Sequence, residues 1–106
     1  MEKNKDAEEN KVLGAIAYVW ILFLVPMFLK KDSEFAQFHA KQGLVLFIFE
    51  LIVMFLGWIP VIGWFIMAPL GGIIAFILFL AGIINALSGK KEPLPLIGEF
   101  AAKINL

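Results

Sequence analysis

The feature that most constrains this chain is an apolar run from Gly43 to Gly89, which contains a single formally charged residue, Glu50. The run has 47 residues and no polar stretch long enough to cover a soluble surface. A bilayer core of about 30 Å is crossed by about 20 apolar helical residues, so the run suits two crossings joined by a turn. The sequence therefore predicts an all-α integral membrane protein whose last two spans form an antiparallel hairpin.

An earlier uncharged run, Val12 to Leu29, predicts a first transmembrane helix. Its 18 residues are longer and bulkier than the apolar core of a signal peptide. Residues 1–11 mix acids with lysines and predict a solvated polar tail, which leaves 12–106 as a single helical membrane domain. The predicted spans are 12–29, 43–57 and 66–88. Amphipathic segments at the membrane surface are predicted at 34–42, after an N-cap at Asp32 or Ser33, and at 96–106.

The lysines predict the orientation of three spans in the plasma membrane. The side that holds the N-terminus carries Lys3, Lys5 and Lys11. The opposite side carries six: Lys30, Lys31, Lys41, Lys90, Lys91 and Lys103. Because cytoplasmic loops carry the excess of positive charge, we expect the N-terminus outside and the C-terminus in the cytoplasm. If 12–29 does not cross fully, the N-terminus is cytoplasmic instead.

Composition argues against several functional classes. Nine lysines balance nine acidic residues, and the chain has no arginine, no cysteine and one histidine. Without a basic excess or arginine, a nucleic-acid partner is not expected. No thiolate, paired-carboxylate site, phosphate-binding loop or metal-ligand cluster is present in the sequence pattern. We therefore expect neither an enzyme nor a bound metal or cofactor, and the lipid bilayer is the expected partner.

A seven-residue period links the last two spans. Gly43, Glu50 and Gly57 recur at this spacing, as do Ala68, Ala75, Gly82 and Gly89. Small residues let membrane helices approach closely, so these stripes predict a packed interface. A turn near Gly63 would pair Gly57 with Ala68, Glu50 with Ala75 and Gly43 with Gly82. Chance alignment of common small residues is the alternative.

Glu50 is the main candidate functional residue. An acidic side chain at membrane depth is costly, so such groups face protein or water and often mark a pathway. Its candidate partners are Tyr18 of the first helix and a second copy of the chain. It could be a hydrogen-bonded packing contact between helices, or it could serve an ion or proton. Asn85 is expected nearer the level of His39 and Gln42.

The stretch Phe35-Ala-Gln-Phe-His-Ala-Lys-Gln42 and the segment Asn85 to Gly98 carry a family resemblance. They resemble the small bacterial membrane proteins of unknown function that are similar to the twenty-kilodalton Tic subunit of the chloroplast inner-envelope import machinery. The matching positions in the first motif are Phe38, His39, Lys41 and Gln42. The resemblance implies a membrane protein without assigned activity and suggests a link to protein translocation.

Three functions are compatible with these observations. The first is a structural or interaction protein that assembles with itself or with a larger membrane complex. The second is a small proton or cation transporter or channel subunit that uses Glu50. The third is a holin-like pore former, which the small size and the number of spans permit.

Overall fold

The structure, a computed structural model, describes residues 2–103 and is helical throughout its regular elements in that range. Four α-helices follow one another: α1 (Glu2–Ile16), α2 (Leu24–Leu29), α3 (Glu34–Gly57) and α4 (Ala68–Leu87). Two 3₁₀ segments, Trp20–Phe23 and Gly98–Lys103, and a π-helical turn, Gly63–Met67, complete the chain.

The hairpin of α3 and α4 is the longest part of the molecule. Two continuous helices, Glu34–Gly57 and Gly63–Leu87, are long and apolar enough to cross a bilayer. Ser33 begins α3 as its N-cap, with its side-chain oxygen accepting a hydrogen bond from the Ala36 N–H at 3.0 Å. At the far end the chain reverses at Gly63, where a Cβ would lie 2.3 Å from the Leu56 carbonyl oxygen. Only glycine fits there.

The predicted span 12–29 is wrong as a single crossing helix. After α1 ends at Ile16, the backbone turns at Trp20, which has a left-handed φ of 50°, and α2 leads back. The Trp20 ring packs on Phe47 of α3 at 4.9 Å between centroids. Helix α2 ends beside Gln37, whose side-chain nitrogen donates to the carbonyls of Pro26, Met27 and Lys30. We call residues 12–29 the re-entrant segment.

Protein surrounds the irregular backbone of the re-entrant segment. Ala17 and Tyr18, at its turn, are 0% and 1% exposed. Irregular backbone at membrane depth is tolerated where it is buried in protein, since lipid offers no hydrogen bonds. The expected contact between Gly43 and Gly82 is replaced by contacts to this turn. A Cβ on Gly43 would lie 1.9 Å from the Ala17 carbonyl oxygen, and one on Gly82 would lie 2.3 Å from the Tyr18 ring.

The other two predicted pairs, Gly57 with Ala68 and Glu50 with Ala75, lie nearer the hairpin turn. Gly57 faces Ala68, and a Cβ on the glycine would be 3.2 Å from the Cβ of the alanine. Glu50 and Ala75 line one shared notch between the two helices. The α3 and α4 helices therefore pack directly on each other near their connecting turn and diverge around the re-entrant segment at the other end.

Both ends of the described chain lie at the end of the hairpin where α3 begins. Residues 1–11, predicted as a solvated tail, are helical from Glu2, and Ala7 and Asn10 are buried. The helix α1 is kinked at Asn10, where φ is −118° and ψ is 16°. Asp6 accepts a hydrogen bond from the Phe35 N–H at 2.9 Å, which fixes α1 to the start of α3. Among the described residues, two helices are long and apolar enough to cross a bilayer, and the structure does not confirm a third span.

The two predicted surface segments differ from the structure as well. Residues 34–42 are the opening turns of α3, and most of them are buried by the rest of the chain. The C-terminal segment forms the 3₁₀ helix Gly98–Lys103 rather than an α-helix, and the prediction for 104–106 lies outside the described residues.

Candidate functional site

Three buried or half-buried polar side chains on the first turns of α3 each hold a different part of the chain. These residues, Gln37, His39 and Gln42, are named here the polar hub. Gln37 holds helix α2 of the re-entrant segment through the three hydrogen bonds of its side-chain nitrogen. Their spacing along one helix lets α3 act as the common support for all other elements at this end.

His39 is fully buried and uses both ring nitrogens. Its Nε2 lies 2.7 Å from the Lys90 carbonyl oxygen, and its Nδ1 lies 2.5 Å from the Tyr18 hydroxyl. A carbonyl oxygen only accepts, so Nε2 carries the hydrogen, and Nδ1 accepts from the hydroxyl in the neutral ring. The edges of Phe35 and Phe38 surround the ring. His39 therefore joins the re-entrant turn and the end of α4 to α3.

Gln42 holds the C-terminal segment. Its Nε2 donates to the Gly98 carbonyl at 3.0 Å, and its Oε1 accepts from the Leu94 N–H at 2.9 Å. A Cβ on Gly98 would lie 2.6 Å from Gln42 Oε1, so this close approach requires glycine. Both ends of the amide are satisfied inside the protein, which matches a structural role.

Asp6 is a structural contact beside the polar hub that the sequence did not predict. It accepts hydrogen bonds from the Ser33 hydroxyl, the Phe35 N–H and the Asn10 amide. Burial alone raises the pKa of Asp6, but these hydrogen bonds and the charge of Lys91 together lower it below its ordinary value. The carboxylate sits at the N-terminus of α3, where negative charge is favoured. The partner residues are far along the chain, so no local pattern identifies them.

Lys41 faces a cleft beside the polar hub. The cleft has a volume of about 550 Å³ and lies between α3 and the segment 91–101. Lys41 is half-buried, and its side chain makes no hydrogen bond or ion pair with the part of the chain that the structure describes. At the same cleft, Lys91 lies 3.4 Å from Glu34. The lining residues are Glu34, Gln37, Phe38, Lys41, Gln42, Lys91, Pro93, Gly98, Glu99 and Ala101.

Glu50 lies in a separate notch, away from the polar hub. The notch has a volume of about 340 Å³ and is lined by Trp20, Glu50, Val53, Met54, Gly72, Ala75, Phe76 and Phe79. Among the described residues, the buried Oε1 of Glu50 has no hydrogen-bond partner. The expected partner Tyr18 bonds to His39 instead, because the re-entrant turn places its hydroxyl on the α3 face at the other end.

Two further observations complete the site. Asn85 is half-buried on α4, and its carbonyl accepts the Lys90 N–H at 2.9 Å, which helps end the helix. Over the described residues, no group of three or more histidine, aspartate and glutamate side chains is arranged to hold a metal ion.

Comparison with known proteins gives one family. Residues 9–101 match the family model described as the magnetosome magnetite crystal formation protein family, MamF/MmsF. The chain is 35% identical to the magnetosome protein MamF of Paramagnetospirillum magneticum, over 88% of this chain and 83% of the relative. It is also 35% identical to a UPF0132 membrane protein of Archaeoglobus fulgidus, over 88% of this chain and 92% of the relative. No solved structure matches.

These relatives support the coarser part of the resemblance drawn from the sequence. The UPF0132 relatives are named only as membrane proteins. A link to the Tic subunit is not among the matches.

Proposed function

Because the chain belongs to the magnetosome magnetite crystal formation protein family, we propose that it is a structural component of a membrane assembly. The magnetosome names describe those relatives. The chain is equally identical, at 35%, to the Archaeoglobus fulgidus relative, whose name refers only to a membrane protein. The proposed membrane assembly therefore rests on the membrane named for the UPF0132 relatives, on the apolar hairpin and on the contacts of this chain.

The polar hub supports a structural role. Gln37, His39 and Gln42 hold other segments of the same chain, and both ring nitrogens of His39 are already engaged. Proton transfer or ligand binding at His39 would require breaking contacts that hold the fold together. The motif that carries the family resemblance thus serves to keep four segments in place.

The charge distribution supports an orientation with both termini in the cytoplasm. No lysine lies between Gly43 and Gly89, so all nine lysines precede or follow this apolar run. With two crossings, every lysine falls on one side of the membrane and none at the turn between α3 and α4. Since cytoplasmic segments carry the excess of lysine, two crossings agree with this positive-inside rule far better than three spans do.

The observation that carries the proposed assembly is the unpartnered Glu50 Oε1 in the notch between α3 and α4. A protonated carboxyl group has one donor and further acceptor capacity, so it can pair with the same group of a second copy. Gly72 lines the notch, and a Cβ there would meet no atom within 4 Å, so a partner helix can approach closely. We place the contact between two copies at this notch.

Disulfide cross-linking tests this contact, because the chain has no cysteine of its own. A Gly72→Cys variant places a thiol in the notch. The matched control is Leu70→Cys, which places a thiol at nearly the same depth but at an exposed position on the opposite side of α4. In native membranes with a mild oxidant, we expect a dimer band from Gly72→Cys and little from Leu70→Cys. Adding Glu50→Leu should weaken the band, whereas Glu50→Gln should keep it.

Equal cross-linking at both positions, or at neither, would contradict the contact. Transport through Glu50, pore formation and membership of a translocation complex stay predictions from the sequence. Ion flux into liposomes that contain the purified chain, with and without Glu50→Gln, tests the first two. Identification of proteins that copurify in mild detergent tests the third.

A further inference from the structure

The cleft between α3 and the segment 91–101 has the features of a built binding site. Its volume of about 550 Å³ lies within the usual range for sites that hold small ligands. The two hydrogen bonds of Gln42, which is 2% exposed, fix the C-terminal segment as one wall. The cleft is therefore preformed, and its occupant does not need to order the segment.

The charges in the cleft select the chemistry of the occupant. Two lysines and two glutamates line it: Glu34, Lys41, Lys91 and Glu99. Their formal charges cancel, so a ligand with net negative charge gains no overall attraction. A zwitterion, in contrast, can use both signs.

The order of the charges along α3 matches the order of groups in a phospholipid headgroup. Lys41 lies seven residues after Glu34, about 10 Å further along the helix toward the bilayer centre. In a bilayer, the phosphate group lies deeper and the amine of the headgroup lies further out. A phosphate beside Lys41 therefore places an amine toward Glu34, and Phe38 between them offers an apolar surface to the lipid.

We propose that this cleft binds the headgroup of a zwitterionic phospholipid with a primary amine, such as phosphatidylethanolamine. The Lys41 ammonium donates to the phosphate, and the amine donates to the carboxylates of Glu34 and Glu99, sharing Glu34 with Lys91, whose Nζ lies 3.4 Å from Glu34 Oε2. A primary ammonium has three N–H donors. The quaternary ammonium of phosphatidylcholine has none, so the carboxylates distinguish the two lipids. The proposal does not depend on the pairing of two copies at Glu50.

Native mass spectrometry of the full chain tests the site. The protein is released from nanodiscs that contain equal amounts of phosphatidylethanolamine, phosphatidylcholine and phosphatidylglycerol, and the retained lipid is counted. We expect phosphatidylethanolamine to be retained about three- to fivefold over phosphatidylcholine, the range typical of partly exposed ion pairs. Lys41→Gln should remove most of the retained lipid. The matched control Lys31→Gln, which changes an exposed lysine outside the cleft, should not.

A double variant, Glu34→Gln with Glu99→Gln, should bring the ratio of the two zwitterionic lipids to about one. Thermal unfolding of each variant, followed by circular dichroism, shows whether the fold is retained. Lys41→Arg, which keeps the positive charge, should retain the lipid. Equal retention of both zwitterionic lipids by the unaltered chain overturns the proposal. So does an excess of phosphatidylglycerol, or unchanged retention in a folded Lys41→Gln variant.

Discussion

Gly82 offers the sharpest test of the re-entrant arrangement, because a methyl group there would collide with the Tyr18 ring. A Cβ on Gly82 would lie 2.3 Å from both Cδ1 and Cε1 of that ring. An ordinary contact needs more than 3.4 Å, so the ring must move by about 1 Å. Tyr18 is 1% exposed and bonds to His39, so it has no free space into which to move.

The expected cost of Gly82→Ala follows from these contacts. Overpacking of a tight site costs about 1–3 kcal/mol, and loss of a buried hydrogen bond adds about 1 kcal/mol. Relative to a Gly→Ala substitution on the same helix that makes no such contact, we therefore expect a loss of about 2–4 kcal/mol in the free energy of unfolding. Gly72→Ala is the matched control, since it lies on the same helix and its added methyl group would meet no atom within 4 Å.

The measurement is reversible unfolding in detergent, followed by circular dichroism, at a protein-to-detergent ratio low enough to keep the chain monomeric, so that the proposed contact between two copies at Gly72 does not contribute. Both substitutions gain the same helix propensity, up to about 1 kcal/mol, so the difference between the two variants isolates the contact with Tyr18. The reasoning is refuted if Gly82→Ala is as stable as Gly72→Ala. That result would mean that the re-entrant turn does not lie against α4.

Three other predictions concern the same end of the molecule and the orientation of the chain. The folded pKa of Asp6 lies below its ordinary value of 3.8, so the stabilisation by this carboxylate is complete at neutral pH and is lost as the pH falls through the folded pKa. Asp6→Asn should therefore flatten the acid dependence of the melting temperature between pH 6 and 2. Identical curves for the variant and the unaltered chain would contradict this prediction. Gln42→Leu leaves the Gly98 carbonyl and the Leu94 N–H unpaired, so the free energy of unfolding should fall by about 2–4 kcal/mol. Proteolysis after residue 92 should also become faster. Protease resistance equal to that of the unaltered chain would contradict the role of Gln42 in holding the C-terminal segment. A single cysteine that replaces the exposed Ser88 should react with an impermeant thiol reagent only after the cytoplasmic face is made accessible. A single cysteine that replaces Ile62 should react in intact cells. The reverse pattern would show the opposite orientation.

The hairpin could be predicted from the sequence because its signal is local. Each residue of 43–89 contributes to the free energy of transfer into lipid, and the sum is large enough for two crossings. The glycine, proline and tryptophan residues near Gly63 mark the turn. Ser33 as a helix start is also a local property, since its side chain bonds to a backbone N–H three residues on.

The re-entrant segment could not be predicted in the same way. Hydropathy counts apolar residues, and 12–29 has the same composition whether it crosses lipid or turns back against protein. What decides between them is the packing of Ala17 and Tyr18 on Gly43 and Gly82. These contacts join residues far apart in the chain, so no window of sequence contains them.

By itself, the sequence determined that this chain is an all-helical membrane protein with a two-helix hairpin, because apolar transfer energy and turn preference act on short segments. Tertiary structure alone decided how the remaining polar groups are used. It brought Tyr18 to His39 and Asp6 to the start of α3, and it left Glu50 without the expected partner. The physical reason is that a buried hydrogen bond depends on which groups the whole fold brings within about 3 Å, and distance along the chain does not encode that.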